Sequence, residues 1–145
     1  MSDDNTVMQY NIFETVVIKE HLDFMGHVNN AVYLSFFEEA RWHYYSQFGF
    51  TKEHIHKNKK GPIILKTYIQ YKKEILLYEK ILIKSNCVSY NSLLEKMRQT
   101  ILKVNGQVAC SAEFVFSFFD LVNRKLVMPS GLWLEMHKKL GVLKK

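Results

Sequence analysis

Two cysteines in 145 residues exclude a disulfide scaffold, and Cys87 and Cys110 show neither a CxxC pair nor a Cys/His zinc spacing. Both are expected to be ordinary thiols in the core or in strands. With two prolines and 48% apolar residues there is no linker and no disordered tract, so residues 1–145 are read as one domain. No apolar run approaches the ~18 residues that a membrane span needs, and the acidic, polar start MSDDNTVMQY is not a signal peptide. A soluble, cytoplasmic protein is expected. There is no helix-turn-helix, RRM signature or KH loop, so nucleic acid is not an expected partner. A G-x-S-x-G elbow is missing as well, and neither cysteine has a placed base, which leaves no Ser or Cys nucleophile system. His54 and His56 stand two apart without further ligand pattern, and no metal is expected there.

The formal charge is +6, from 20 Lys+Arg against 14 Asp+Glu, with clusters at Lys57-Lys59-Lys60, Lys72-Lys73, Lys138-Lys139 and Lys144-Lys145. Such a balance suits an anionic partner, and a phosphate-bearing small molecule fits without a nucleic-acid motif. Along the chain, Met8–Lys19 is rich in Ile, Val, Phe and Tyr and reads as a strand. Lys52–Lys60 reads as a charged connection closed by Gly61-Pro62. From Ile63 a period of two takes over, with strands expected at Ile63–Lys72, Glu79–Ser89, Leu93–Val104 and Gln107–Phe119. Asn105-Gly106 marks a tight hairpin, since both residues tolerate positive φ. The strand that follows gathers Val108, Cys110, Ala112, Phe114, Phe116 and Phe118 on one face. Then come a turn at Asp120–Asn123, an extended piece Lys125–Met128, and a short helix opened by Pro129 and running through Trp133, Met136 and Leu140.

The densest information lies in HLDFMGHVNNAVYLSFFEEARWHYYSQFGF, from His21 to Phe50. Asn29 or Asn30 can cap a helix, and Gly49 is suited to end one, which predicts a helix from Asn30 to Phe48, about 18 residues and roughly 27 Å long. Ala31, Val32, Tyr33, Leu34, Phe36 and Phe37 go nearly all the way round its first turns, and a helix apolar on most sides is expected to be buried on most sides. Its free N-terminal amides and positive dipole end would sit beside the polar loop Asp23, Gly26, His27, Asn29, a place able to stabilise an oxyanion. The overall order is strand, long helix, then four strands. That predicts an α+β fold in which a mostly antiparallel five-stranded sheet curls around the central helix, with a short C-terminal helix added.

The string Asp23-Phe24-Met25-Gly26-His27-Val28-Asn29-Asn30-Ala31-Val32-Tyr33, with Phe37-Glu38-Glu39-Ala40-Arg41 after it, resembles the hotdog-fold acyl-CoA thioesterases of the 4-hydroxybenzoyl-CoA thioesterase type. In that family a D-x-x-G-H-V-N-N-x-x-Y loop precedes the helix that the sheet wraps. The resemblance extends from about Tyr10 to Met128. It implies hydrolysis of an acyl- or aryl-CoA thioester without metal or redox cofactor, by Asp23 as nucleophile or general base. The amide of Asn30 would hold the carbonyl oxygen, and His27 and Asn29 would order the loop or contact substrate. Gly26 gives the backbone room to turn. Tyr33, Phe36 and Phe37 would line an apolar substrate tunnel, Lys72 and Lys73 would meet the coenzyme phosphates, and the protein would be a homodimer or tetramer.

Two departures and two alternatives accompany that expectation. Related acyl-carrier-protein thioesterases often place Asn where this chain has Met25, so a water-positioning amide is missing and direct attack or a simple base role by Asp23 is favoured. Many relatives carry proline after the second long strand, where this chain reads Lys72-Lys73-Glu74-Ile75. Another hotdog branch takes its carboxylate from the helix, but Glu38 and Glu39 lie roughly 12 Å along the axis from Asn30, too far to share one carbon with its amide. The alternative functions are a non-catalytic module that binds acyl-CoA or lipid, and an acyl-carrier-protein thioesterase.

Overall fold

A computed structural model describes residues 11–91 and 93–139. The expected strand residues Met8–Tyr10, turn residue Ser92, helix residue Leu140 and the Lys144-Lys145 cluster lie outside the described residues. The elements are β1 (Ile12–Val16), a 3₁₀ turn (Lys19–His21), α1 (Val32–Ser46), α2 (Lys52–Asn58), β2 (Lys60–Tyr71), β3 (Lys80–Tyr90), β4 (Glu95–Lys103), β5 (Val108–Asp120), β6 (Lys125–Val127) and α3 (Gly131–Lys139). One sheet has the order β1-β3-β4-β5-β2, with β6 added against β5. β1 runs antiparallel to β3, with Phe13 opposite Ile83, and β5 antiparallel to β6, with Phe119 opposite Leu126.

Three local readings change. Lys52–Lys60 is not an open connection: Thr51 caps it by accepting the His54 amide at 3.1 Å, and Lys59 ends it in the left-handed region at φ 58°. β2 therefore starts at Lys60, and Gly61-Pro62 lies inside it instead of punctuating a turn. Pro62 is tolerated there because β2 is an edge strand. Gly61 packs closely on α2: a Cβ would stand 3.0 Å from Ile55 Cδ1, so that side chain would have to give by a few tenths of an ångström. The β4–β5 hairpin closes over three residues instead of two: Lys103 donates to Gln107 O, and only Gly106 has positive φ. The sixth strand, β6, is the extended piece after the Asp120 turn. Asp120 holds that turn by accepting the amides of Val122 and Asn123 on Oδ1 and the Asn123 side chain on Oδ2.

The long helix also differs from its expectation. Tyr33, Phe36, Phe37, Ala40, Arg41, Tyr44 and Tyr45 are buried, at the i, i+3, i+4 spacing of one face, while Leu34, Glu38, Glu39 and His43 are exposed. One stripe is buried, not most of the circumference.

The chain divides into two compact units. The first comprises residues up to Tyr44 with Ile69–Ser85 and Gln99–Ala112. In it, α1 is fastened to the sheet by Gln99, fully buried on β4, whose Nε2 donates to Phe37 O (3.0 Å) and Ser85 Oγ (2.8 Å) while Oε1 accepts from Arg41 Nη1 (2.9 Å). Phe13 of β1 packs on His43, and His21 sits edge-on to Phe36 at 4.7 Å. The second unit comprises Tyr45–Tyr68, Asn86–Arg98 and the chain from Glu113. Its core is an aromatic cluster in which Trp133 of α3 meets Tyr45, Phe50 and Phe118. No described helix is long and apolar enough to cross a membrane.

Candidate active site

Between the 3₁₀ turn and α1 the backbone forms a small hairpin: Leu22 bridges Val28, Asp23 N–H donates to His27 O, and Gly26 N–H donates to Asp23 O. Gly26 turns the corner at φ 85°, a conformation that a side chain would strain although nothing stands within 4 Å of its Cβ position. Val28 N–H donates to Ile75 O and Asn29 N–H to His21 O, so both arms of the loop are pinned. Phe24 at the tip is 98% exposed.

Asp23 is held by its own loop. Its Oδ1 accepts the Met25 amide at 2.9 Å, and its Oδ2 lies 3.4 Å from His27 Nε2. The other His27 nitrogen, Nδ1, lies 3.4 Å from Glu74 Oε2, which puts one imidazole between two carboxylates. Asn29 is the residue that caps α1, its Oδ1 accepting the Ala31 amide at 2.9 Å. Asn30 follows with an amide that donates to no protein group among the described residues, while its carbonyl accepts the Tyr71 hydroxyl at 3.0 Å.

These groups share one cavity of about 560 Å³, lined by Asp23, His27, Asn29, Asn30 and Tyr33 on the loop and helix side. Tyr71, Lys72, Lys73 and Glu74, from the end of β2 onward, complete the wall. The amides of Lys72 and Lys73 both donate to Ala109 O, fixing that strand end while the lysine side chains stay exposed. Tyr33 is buried and meets Tyr71 edge-on at 5.0 Å. Burial, with the neighbouring charges of Cys110, Tyr71, Glu74 and Glu79, pushes its phenol up to about 12, so it stays a hydroxyl at any ordinary pH.

Of the residues singled out from the sequence, Asp23, His27, Asn29, Asn30, Tyr33, Lys72 and Lys73 therefore line one cavity, and Gly26 shapes its loop. Phe37 does not join them: it is fully buried, with its carbonyl taking the Gln99 amide. Glu38 and Glu39 are exposed, off the cavity wall. Lys57, Lys59 and Lys60 line no part of this cavity either. Glu74 and Tyr71 were not singled out, because their contacts to His27 and Asn30 span 47 and 41 residues and leave no local pattern.

The chain matches the Thioesterase-like superfamily over residues 16–134. It is 31% identical over 121 residues to the long-chain acyl-CoA thioesterase FadM of Escherichia coli K12, a match covering 83% of this chain and 89% of that protein. Among solved structures, the probable thioesterase YbaW of E. coli superposes with a TM-score of 0.72 at 28% identity, over 89% of this chain and 95% of that one. A DHNA-CoA thioesterase from Staphylococcus aureus reaches a TM-score of 0.82 at 22% identity, over 90% of this chain and 88% of the other. The chain belongs to the thioesterase-like superfamily, and it is a thioester hydrolase on a hotdog scaffold.

Proposed function

We propose that the protein hydrolyses acyl-CoA thioesters to the free acid and CoA, with Asp23 as the reacting carboxylate. One observation carries the reading: a carboxylate fixed by its own loop faces the same cavity as an unpaired amide at the start of a buried-faced helix. Asp23 either attacks the thioester carbonyl or takes a proton from the water that does. The carbonyl oxygen gains negative charge in that step, and the Asn30 amide at the positive end of α1 is the donor suited to hold it. In the base route collapse breaks the C–S bond and the protonated Asp23 returns its proton to the CoA sulfur; in the nucleophilic route CoA leaves as the thiolate, takes its proton from solvent, and water then cleaves the mixed anhydride to free acid and Asp23. His27, between Asp23 and Glu74, keeps the carboxylate oriented, and Gly26 and Asn29 keep the loop and helix start in place. Tyr33 and Tyr71 form the aromatic side of the acyl or aryl subsite. Lys72 and Lys73, on the exposed rim, provide point charges for the coenzyme phosphates.

The working form is a homodimer, with a tetramer as a pair of dimers. β2 is an edge strand with Ile64, Leu65 and Tyr68 exposed, and the site loop ends in exposed Phe24 and Met25, surfaces that a second copy would cover. Light scattering of active protein at micromolar concentration should exceed the 17.2 kDa of one chain, and a mass near that value would refute the dimer.

The decisive experiment measures thiol release from a panel of acyl- and aryl-CoAs and one acyl carrier protein thioester, for the wild type and Asp23→Asn. Wild-type release from CoA substrates and a loss on the order of 10²-fold or more in the folded variant are expected. Near-wild-type turnover by Asp23→Asn would remove Asp23 from the chemistry. Binding without release across the whole panel would make the protein an acyl-CoA carrier.

A further inference from the structure

Away from the cavity, the second unit brings three ligand-type side chains together at its core: Cys87 near the end of β3, Glu95 at the start of β4 and His137 in the last turn of α3. One donor atom from each lies within 4.8 Å of the other two. Glu95 is 2% exposed and His137 is 1% exposed, so the group is sealed on two of its three sides. Among the described residues the groups that meet the Glu95 carboxylate are the Cys87 thiol and His137 Nε2, the latter 2.9 Å from Oε2. That contact is close without being aligned as a hydrogen bond. A buried carboxylate held only by a thiol and one misaligned contact is costly unless a cation meets it.

We propose that Cys87, Glu95 and His137 bind a divalent transition-metal ion of the zinc type, which clips the C-terminal helix to the sheet.

The chemistry of the donors selects that class. Thiolate and imidazole suit zinc and its neighbours, whereas calcium and magnesium require oxygen shells. A thiolate and a carboxylate neutralise a 2+ ion, so the filled site buries no net charge. His137 is prepared for ligation: Nδ1–H donates to Trp133 O at 2.8 Å, which fixes the tautomer and turns Nε2 toward Glu95. Its ring stacks on Tyr90, with ring centroids 4.3 Å apart. The role is structural, since none of the three residues lines the catalytic cavity.

The test uses the full chain, tag removed, stripped with a chelator and titrated with Co²⁺. One equivalent should bind and give a thiolate-to-cobalt charge-transfer band, bleached by Zn²⁺. Cys87→Ser should abolish the band, while Cys110→Ser, the chain's other thiol, should keep it. Zn²⁺ in excess should raise the melting temperature of the wild type by about 5 °C or more and leave Glu95→Gln unmoved. Glu95→Gln keeps the side-chain size, so it reads metal dependence without requiring a cavity. Absence of the band at saturating Co²⁺, its persistence in Cys87→Ser, or a melting temperature indifferent to Zn²⁺ would each overturn the site and leave a buried His137–Glu95 contact.

Discussion

Replacing Gln99 by methionine tests whether the helix that carries the site is held by a polar fastening or by apolar packing alone. Methionine matches glutamine in length and volume, so no cavity term enters. The wild-type side chain is fully buried and makes three bonds, to Arg41 Nη1, Phe37 O and Ser85 Oγ, at 2.9, 3.0 and 2.8 Å. A neutral buried hydrogen bond contributes about 1 kcal/mol net, and one to a charged group about 1.5–3 kcal/mol. The Ser85 hydroxyl can rotate to another acceptor, and the Phe37 carbonyl has a second lone pair for its own helix bond, so those two losses stay near the lower figure. Arg41 loses an acceptor while 6% exposed, which is the dominant cost. The sum is about 3–5 kcal/mol, or roughly a 10–15 °C drop in melting temperature for a chain of this size. Urea unfolding should show a lower midpoint with an unchanged slope. Thioester hydrolysis measured well below the transition should persist, since Gln99 touches no substrate group. A loss below about 1 kcal/mol would refute the fastening and assign the helix position to Phe36, Phe37 and Ala40 packing.

Two further outcomes are expected. Neutralising Lys72 and Lys73 together should raise KM for acyl-CoA at low salt, leave kcat nearly unchanged, and lose its effect as salt rises, because exposed charges are screened beyond about 10 Å at 0.1 M; a fall in kcat with KM unmoved would place the lysines in the fold or the chemistry. Stability should be level near neutrality and fall from about pH 9 toward pH 12: burial pushes the Tyr33 phenol from 10.0 and the Cys110 thiol from 9.0 up to about 12 each. Both groups are neutral when protonated, so their contribution is complete below the unfolded values and is lost as pH rises through the folded ones, for Tyr33 on the order of 3 kcal/mol in all; a urea midpoint unchanged between pH 8 and pH 11 would contradict it.

The strands were legible because each depends on a pattern that the chain writes locally. β3, β4 and β5 follow the period of two to within two residues at each end, since an inward face of Ile81, Ile83 and Ser85, or of Phe114, Phe116 and Phe118, must alternate with outward residues. α2 was hidden because it buries nothing: its seven residues include no buried side chain, so no apolar period announces it. Only Thr51, a cap three residues before His54, was there to be read. The breadth of the α1 core was overread for the opposite reason. Leu34 and Val32 are apolar without being buried within one chain, and composition alone cannot separate a face turned to the core from one turned outward.

The site was legible to the extent that it is contiguous. Asp23, His27, Asn29, Asn30 and Tyr33 lie within eleven residues, and a loop that must turn at Gly26, cap a helix with Asn29 and leave one amide free imposes a fixed spacing. Lys72 and Lys73 could be proposed because charge is visible in a sequence, although the cavity they share with Asp23 is not. Glu74 stood beside them unread, since nothing local marks a carboxylate that reaches His27 across 47 residues. Contiguity also separates the two clusters of the molecule. Cys87, Glu95 and His137 span fifty residues and three elements, so no metal spacing forms in the sequence, and only the pairing of β3 with β4 and the docking of α3 bring their donors within 4.8 Å. A ligand set assembled by tertiary structure exists only when the chain is folded. A bound ion would therefore stabilise the native state alone, and the melting temperature is the quantity in which it should first be seen.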